Sequence, residues 1–227
     1  NLFDGLAAGS LVDGDAGWAR SEKDNLDGAT PEWWVRYHTP AEQPPYLEIY
    51  QDVWSNGPNL TVTRELPAAG EVKSWELSGR LKCRHAAENS VFLRVLDEDG
   101  AAIASLDRFT LGHKQGKRGP GDSYLTFNGV SLLPKLAGKA KWQAVLDFAQ
   151  EEWKPFRLRY HADRAEVITL EIGDSTLTAP IPAAARPTAP HGLQLFFGWG
   201  LGSQGKGSLL LDSLTFTTEK AGERAGR

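Results

Sequence analysis

Basic side chains recur at every second position in several segments of this chain, which is the spacing of one face of a β-strand. In FRLRYH (156–161), for example, basic residues alternate with apolar or aromatic ones. The basic residues with this spacing are Arg80, Arg84, Arg94, Arg157, Arg159 and His161. Arginine binds carboxylate and sulfate groups through two parallel hydrogen bonds. We therefore expect an exposed face that binds an acidic polysaccharide. The alternative is a set of ordinary solvated faces divided between two sheets.

Tyr160 and His161 have the chemistry of an acid–base pair for β-elimination at a uronate, with arginines neutralising the carboxylate. Adjacent residues of a strand face opposite ways, however, so these two side chains should not share a site. The alternation assigns Tyr160 to the core together with Phe156 and Leu158. His161 acting with a tyrosine from elsewhere in the chain remains open.

The eight tryptophans are a second set of candidates, because the flat apolar face of an indole suits a sugar ring. Those near turns are Trp33, Trp34, Trp54 and Trp199. We expect these four to be better sugar contacts than Trp75 or Trp153, which open clear strand patterns. Because Trp33 and Trp34 are adjacent, one of them should face outward. The alternative is that tryptophans anchor a sandwich core.

Residues 107–122 form a basic, glycine-rich loop, DRFTLGHKQGKRGPGD. It does not follow the strand-to-helix pattern of a phosphate-binding loop, so it either closes over an anionic ligand or is a solvated loop. The acidic runs 13–15 and 97–99 suggest calcium, yet their Asp-Gly pairs are also ordinary turn chemistry. Cys83 is the only cysteine and the five histidines are scattered, so no zinc spacing is present.

Period-two alternation, short turns and almost no helical spacing predict an all-β protein, a two-sheet antiparallel jelly-roll sandwich. Only 142–149 has helical spacing, and strand remains an alternative there. Asp99-Gly100 predicts a hairpin tip, and NLFDGL at the start is a strand candidate. We find no linker between two cores, so residues 1–227 should be a single domain with a tail at 218–227.

The order of these features resembles the concanavalin A-like lectin/glucanase superfamily, its laminin G-like branch in particular. The resemblance rests on Trp153 before FRLRY, on VITLEIGDS, and on the closing pair LQLFFGWG and GSLLLDSLTF. The opening LFDG is similar to domains related to 3-keto-disaccharide hydrolases. Related sandwiches often hold a structural calcium near the paired terminal strands. The resemblance implies Asp4 and Asp212 as its ligands here.

The resemblance does not transfer a catalytic set. The Glu-x-Asp-x-x-Glu strand of laminarinase-type hydrolases is absent, and neither RLRYH nor GRLKCRH matches the strands of jelly-roll alginate lyases. Carbohydrate binding is therefore the favoured function, with an acidic polysaccharide as the expected ligand. A glycan-active enzyme, either a glycoside hydrolase or a polysaccharide lyase, is the first alternative, and a structural or adhesive module is the second.

Bulk composition limits the partners. A net charge of −4 over 227 residues argues against a general nucleic-acid binder, and no apolar run is long enough to span a bilayer. The chain starts at Asn1, as a mature secreted protein or an excised domain would. We expect a secreted, periplasmic or cell-surface protein of bacterial type that binds a glycan, with other domains of a larger protein as further partners.

Overall fold

The computed structural model describes residues 1–11, 13–23, 32–54, 60–67, 70–84, 89–109, 124–132, 151–164, 166–199 and 204–220. Alternating sequences in these ranges form fifteen strands. They are β1 (Gly9–Ser10), β2 (Trp18–Arg20), β3 (Glu32–His38), β4 (Tyr46–Trp54), β5 (Leu60–Glu65), β6 (Val72–Arg84), β7 (Asn89–Asp97), β8 (Ala102–Phe109), β9 (Tyr124–Phe127), β10 (Val130–Ser131), β11 (Lys154–His161), β12 (Val167–Ile172), β13 (Ser175–Pro180), β14 (Pro190–Trp199) and β15 (Gln204–Lys220). The described part otherwise contains two single-turn 3₁₀ segments, Asp15–Gly17 and Ala162–Arg164.

The strands pair antiparallel in two sheets. The first sheet has eight strands in the order β1-β3-β4-β15-β6-β11-β12-β13. The second has seven in the order β10-β9-β8-β7-β14-β5-β2. The long strand β15 lies between β4 and β6, so the centre of the first sheet joins segments far apart in sequence. This confirms the predicted all-β, two-sheet antiparallel jelly-roll sandwich.

The core lies between the sheets and follows the period-two alternation. On β11, Phe156, Leu158 and Tyr160 are buried, as predicted. Trp75 on β6 is buried as well and stacks against Tyr160 on the neighbouring strand. The side chains between these residues point away from the core, onto what we call the outer face of each sheet. Within the described residues, no helix has the length and apolar character needed to cross a bilayer.

Two local predictions have different outcomes. The opening NLFDGL is not a strand but a series of turns, and the strand prediction there is wrong. Leu2 and Phe3 nevertheless reach the core, because the Leu2 amide bonds the carbonyl of Leu214 and fixes the segment against β15. The hairpin tip at Asp99-Gly100 is confirmed, with Gly100 at φ 81°. The helix prediction over 142–149 and most of the basic loop lie outside the described residues.

Gly79 on β6 lies where β15 bulges between Asp212 and Thr215. A Cβ at Gly79 would lie 2.7 Å from Cδ2 of Leu214 and 3.0 Å from the Asp212 carbonyl oxygen. We expect Gly79→Ala to lower the free energy of unfolding by about 1–3 kcal/mol through overpacking, measured by urea denaturation. Gly192→Ala is the matched control, because among the described residues its Cβ would meet only Leu96, at 3.8 Å. Equal losses in the two variants would contradict the overpacking argument.

Candidate functional site

The structure divides the predicted basic residues between the two sheets. Those on the outer face of the first sheet are Arg80, Arg84, Arg157, Arg159 and His161. Arg94 instead lies on the outer face of the second sheet, where it packs over Phe92 and bonds Ser105 and Asp107. Arg94 therefore cannot contribute to a site with the other five.

The five remaining basic residues each lie beside an acidic side chain. The pairs are Arg80 with Asp212, Arg84 with Glu48 and Glu151, Arg157 with Glu76 and Glu171, Arg159 with Glu171, and His161 with Asp163. Cross-strand neighbours of opposite charge neutralise one another in a sheet. The outer face is therefore a network of ion pairs rather than the open basic face expected from the alternation.

Five half-buried aromatic side chains form a continuous row on the outer face of the first sheet, which we call the aromatic row. Its members are Trp34, His38, Tyr46, Tyr50 and Trp153. Trp34 and His38 come from β3, Tyr46 and Tyr50 come from β4, and Trp153 immediately precedes β11. The row forms because the register of β3 and β4 places Trp34 opposite Tyr50 and His38 opposite Tyr46.

Ring contacts hold the aromatic row together. Trp34 stacks on Tyr50 with centroids 4.8 Å apart, and His38 stacks on Tyr46 at 4.7 Å. Tyr46 meets Trp153 edge-on at 6.2 Å. Cationic groups lie over two of the rings, Arg36 over Trp34 and both Arg80 and Lys82 over Trp153. Stacking and cations occupy ring faces here, so a sugar on this surface would contact the polar ring tips and the cations.

A buried carboxylate, that of Glu48, lies beneath the row. Its Oε2 is 3.0 Å from Nε2 of His38, and the hydroxyl of Ser208 donates to its Oε1 at 2.5 Å. The Arg84 guanidinium is 3.8 Å away. Burial, and next the negative charge of Glu48, raise the pKa of Tyr46, while Arg84 acts in the opposite direction. Tyr46 therefore keeps its phenolic proton at neutral pH.

Asp212 is the second buried carboxylate on this face, at 1% exposure. Both of its oxygens accept hydrogen bonds from Arg80, the Nε–Oδ1 distance being 2.8 Å. This hydrogen bonding raises the pKa of Arg80. Asp4 lies elsewhere, exposed and beside the N-terminal amine of Asn1. The predicted calcium ligands thus have different partners, and the described residues contain no group of three His, Cys, Asp or Glu arranged for a metal.

The acidic run 97–99 is turn chemistry in the structure. Asp97 is buried and accepts hydrogen bonds from the amides of Asp99 and Ala101. Its other oxygen accepts from the amide of Arg186, whose guanidinium pairs with Glu98 and Asp99. A guanidinium thus lies among the acidic oxygens that calcium would need.

The tryptophan predictions also separate. Trp34 faces outward, whereas Trp33 is partly buried against the core, and its Nε1 donates to the carbonyl of Lys23 at 2.6 Å. Trp153, which we ranked below the four turn tryptophans as a sugar contact, lies in the aromatic row. Trp54 and Trp199 belong to β4 and β14, but their side chains lie outside the described residues.

A second feature on the same outer face is an open groove of about 800 Å³, which we call the polar groove. It runs over β15, β6, β11, β12 and β13. Its lining includes Glu76, Arg159, His161, Thr169, Glu171 and Thr178. Hydroxyl groups and paired charges dominate this list, so the groove can exchange hydrogen bonds with a polyhydroxylated ligand.

No protein-family model and no curated protein sequence matches this chain. Solved structures do. A GH16 protein of the Bacteroides ovatus mixed linkage glucan PUL, in complex with the product G4G4G3G, superposes with a TM-score of 0.50 at 9% identity, covering 96% of this chain and 98% of that one. The chain has the concanavalin A-like jelly-roll fold.

Two further structures with this jelly-roll architecture are similar to the chain at lower scores. The carbohydrate recognition domain of Emp47p has a TM-score of 0.46 at 10% identity, covering 89% of each chain. A Lotus tetragonolobus seed lectin has a TM-score of 0.42 at 10% identity, covering 90% of this chain and all 100% of that one. The narrower resemblance to laminin G-like and 3-keto-disaccharide hydrolase-type domains stays a prediction.

Sequence reasoning missed several residues that the jelly-roll fold brings together, namely His38, Tyr46, Glu48, Tyr50 and Trp153. A signal was present in YLEIYQDVW, where Tyr46, Glu48 and Tyr50 alternate with Leu47 and Ile49. An ordinary solvated strand face does not require two tyrosines, one on either side of an acidic residue, so this pattern could have indicated the site. The burial of Glu48, by contrast, depends on Ser208 and could not be read from either segment alone.

Proposed function

We propose that this chain binds carbohydrate on the outer face of its first sheet. The observation that carries the proposal is the aromatic row lying over two buried carboxylates. Half-buried tryptophan and tyrosine rings combine apolar area with a polar tip, which suits a ligand with both C–H and hydroxyl groups. A glycan bound to a GH16 protein of the same fold is consistent with this use of the architecture.

The two buried carboxylates indicate that this face does more than keep the protein soluble. Placing a carboxylate out of water is unfavourable unless it is paired and hydrogen-bonded. Glu48 and Asp212 satisfy that condition through His38, Ser208 and Arg80. A sheet face with only a structural role would not need buried carboxylates, because threonines like those on β12 and β13 would suffice. The paired acids support a preorganised site that fixes polar groups around the aromatic row.

The size of the face supports an extended ligand. The aromatic row starts on β3, and the polar groove reaches β13, six strand spacings away in the sheet order. At ~4.8 Å per spacing this is roughly 29 Å, enough for several sugar units crossing the strands. We therefore propose an oligosaccharide or polysaccharide rather than a single sugar.

We propose that the glycan is an acidic polysaccharide. Its acidic groups would bind other basic residues than those predicted from the alternation. Arg157 and Arg159 are paired with glutamates. Arg36 and Lys82 instead lie over the rings of the aromatic row. They supply positive charge where the rings would hold the sugar. We also propose that the protein is secreted or displayed on a bacterial surface, where the site would be exposed to such polymers.

Trp153→Ala tests the location of the site. We expect wild-type protein to bind oligosaccharides on a glycan array, and the variant to lose about tenfold or more in affinity for the best of them, measured by calorimetry. Phe92→Ala is the matched control, because Phe92 is a half-buried ring on the outer face of the second sheet, stacked on Phe196. It should bind as wild type does.

Two outcomes would contradict the proposal. If wild-type protein bound no neutral or acidic glycan, the chain would be a structural or adhesive module instead. If Phe92→Ala weakened binding while Trp153→Ala did not, the site would lie on the second sheet. A preference for neutral over uronic-acid oligosaccharides would overturn only the acidic part of the proposal.

A further inference from the structure

The aromatic row contains a histidine and a tyrosine that share one face, unlike Tyr160 and His161. His38 and Tyr46 are cross-strand neighbours, and their rings stack at 4.7 Å. A proton acceptor and a proton donor this close can act on neighbouring atoms of one sugar.

His38 has the surroundings of an oriented base. Its Nε2 is buried and lies 3.0 Å from Oε2 of Glu48. Because Nε2 is buried against this carboxylate, Nδ1 is the ring nitrogen left to accept a proton from a ligand. Glu48 itself is held by Ser208 and is almost fully buried, which makes it a positioning residue that stabilises the imidazolium once it forms.

Tyr46 has the surroundings of an acid. Burial and the charge of Glu48 keep its phenol protonated, so the hydroxyl can donate to an oxygen that develops negative charge. Arg36 lies two residues before His38 on the same face of β3, and it can neutralise a ligand carboxylate.

The two buried carboxylates do not suit glycoside hydrolysis. That chemistry uses one carboxylic acid and one carboxylate that both reach the scissile bond. Asp212 has both oxygens bonded to Arg80, and Glu48 is engaged by Ser208 and His38. A histidine base with a tyrosine acid needs neither of them at the bond.

We propose that His38 and Tyr46 form an acid–base centre that cleaves a uronate-containing glycan by β-elimination, an inference that rests on the proposed glycan binding. Nδ1 of His38 takes the proton from C5 of the uronate, whose carboxylate Arg36 neutralises. The C5–H electron pair forms the C4=C5 double bond as the C4–O bond breaks. The departing oxygen takes the phenolic proton of Tyr46. Solvent then carries the proton from His38 back to Tyr46, and nothing is oxidised or reduced.

The test uses the full chain with a panel of uronic-acid polymers, namely polygalacturonate, alginate, hyaluronan and chondroitin. Cleavage is followed by the ultraviolet absorbance of the new conjugated double bond and by product mass. We expect unsaturated products from wild type. We expect His38→Gln and Tyr46→Phe each to lower kcat by about 100-fold or more, while affinity for the same polymer changes less than the rate.

His191→Gln is the matched control, because His191 is exposed on β14 of the second sheet, and it should leave the rate unchanged. Thermal unfolding of each variant separates a lost proton-transfer group from a lost fold. Glycan binding without unsaturated products would overturn the acid–base centre and leave the binding proposal intact. Products that have gained water would overturn it in favour of hydrolysis. The absence of both binding and cleavage would overturn both proposals.

Discussion

Replacing Arg80 with methionine is expected to lower the free energy of unfolding by about 3–5 kcal/mol, because it strands a buried carboxylate. Asp212 is 1% exposed, and its two oxygens have Arg80 as their side-chain partner. The reverse change, Asp212→Asn, should be less harmful. The Arg80 side chain is 37% exposed, so its charge can still be hydrated when the carboxylate is removed. Urea denaturation of the two variants measures the asymmetry.

A double variant sharpens this test. Arg80→Met with Asp212→Leu removes both charges together, so it should recover much of the stability that Arg80→Met alone loses. Equal losses in the two single variants, or no recovery in the double variant, would contradict the account. The pair would then contribute through packing rather than through the compensation of a buried charge.

Trp18→Ala is expected to have an effect of the same size, about 3–5 kcal/mol, since it empties a fully buried indole site. Trp18 is 0% exposed on β2, and its ring stacks on Phe3 with centroids 5.7 Å apart. Its Nε1 donates to the carbonyl of Leu2 at 3.0 Å. The substitution therefore removes core volume and also the anchor of the N-terminal turns.

Two comparisons make the Trp18 prediction specific. Trp33→Ala removes a ring of the same kind that is only partly buried, so it should lose clearly less stability. Trp18→Phe keeps most of the side-chain volume but loses the hydrogen bond. We expect it to lower the free energy of unfolding by about 1 kcal/mol. Protection of the Leu2 and Phe3 amides from hydrogen exchange should fall in Trp18→Ala. Unchanged protection there would show that the N-terminal turns do not depend on Trp18.

The sequence predicted the fold class well where alternation was regular. Phe156, Leu158 and Tyr160 on β11 have the burial that their spacing indicates, because a strand with one buried face must alternate. The same rule failed at the opening NLFDGL. Leu2 and Phe3 are buried there by side-chain packing and one backbone bond, without a strand. Turns with buried side chains have no period that a pattern can reveal.

The candidate site was harder to predict because its charge depends on which side chains pair across the strands. Composition does not show this pairing. Arg157 and Arg159 are as exposed as expected, yet their charges are offset by Glu76 on β6 and Glu171 on β12, partners that only the register supplies. Glu48 on β4 and Ser208 on β15 are 160 residues apart in sequence, yet their side chains are hydrogen-bonded. Alternation predicts which way a side chain points. It does not predict what it meets.

The central position of β15 has a consequence for how the protein is made. β4 and β6 flank β15 in the first sheet, so both keep an unpaired edge until residues 204–220 leave the ribosome. Closing such long-range pairs is slow, and open edges invite pairing between nascent chains. The contact between Glu48 and Ser208 forms in the same late step. A chain interrupted before β15 would therefore lack a complete first sheet and, with it, the arrangement around Glu48.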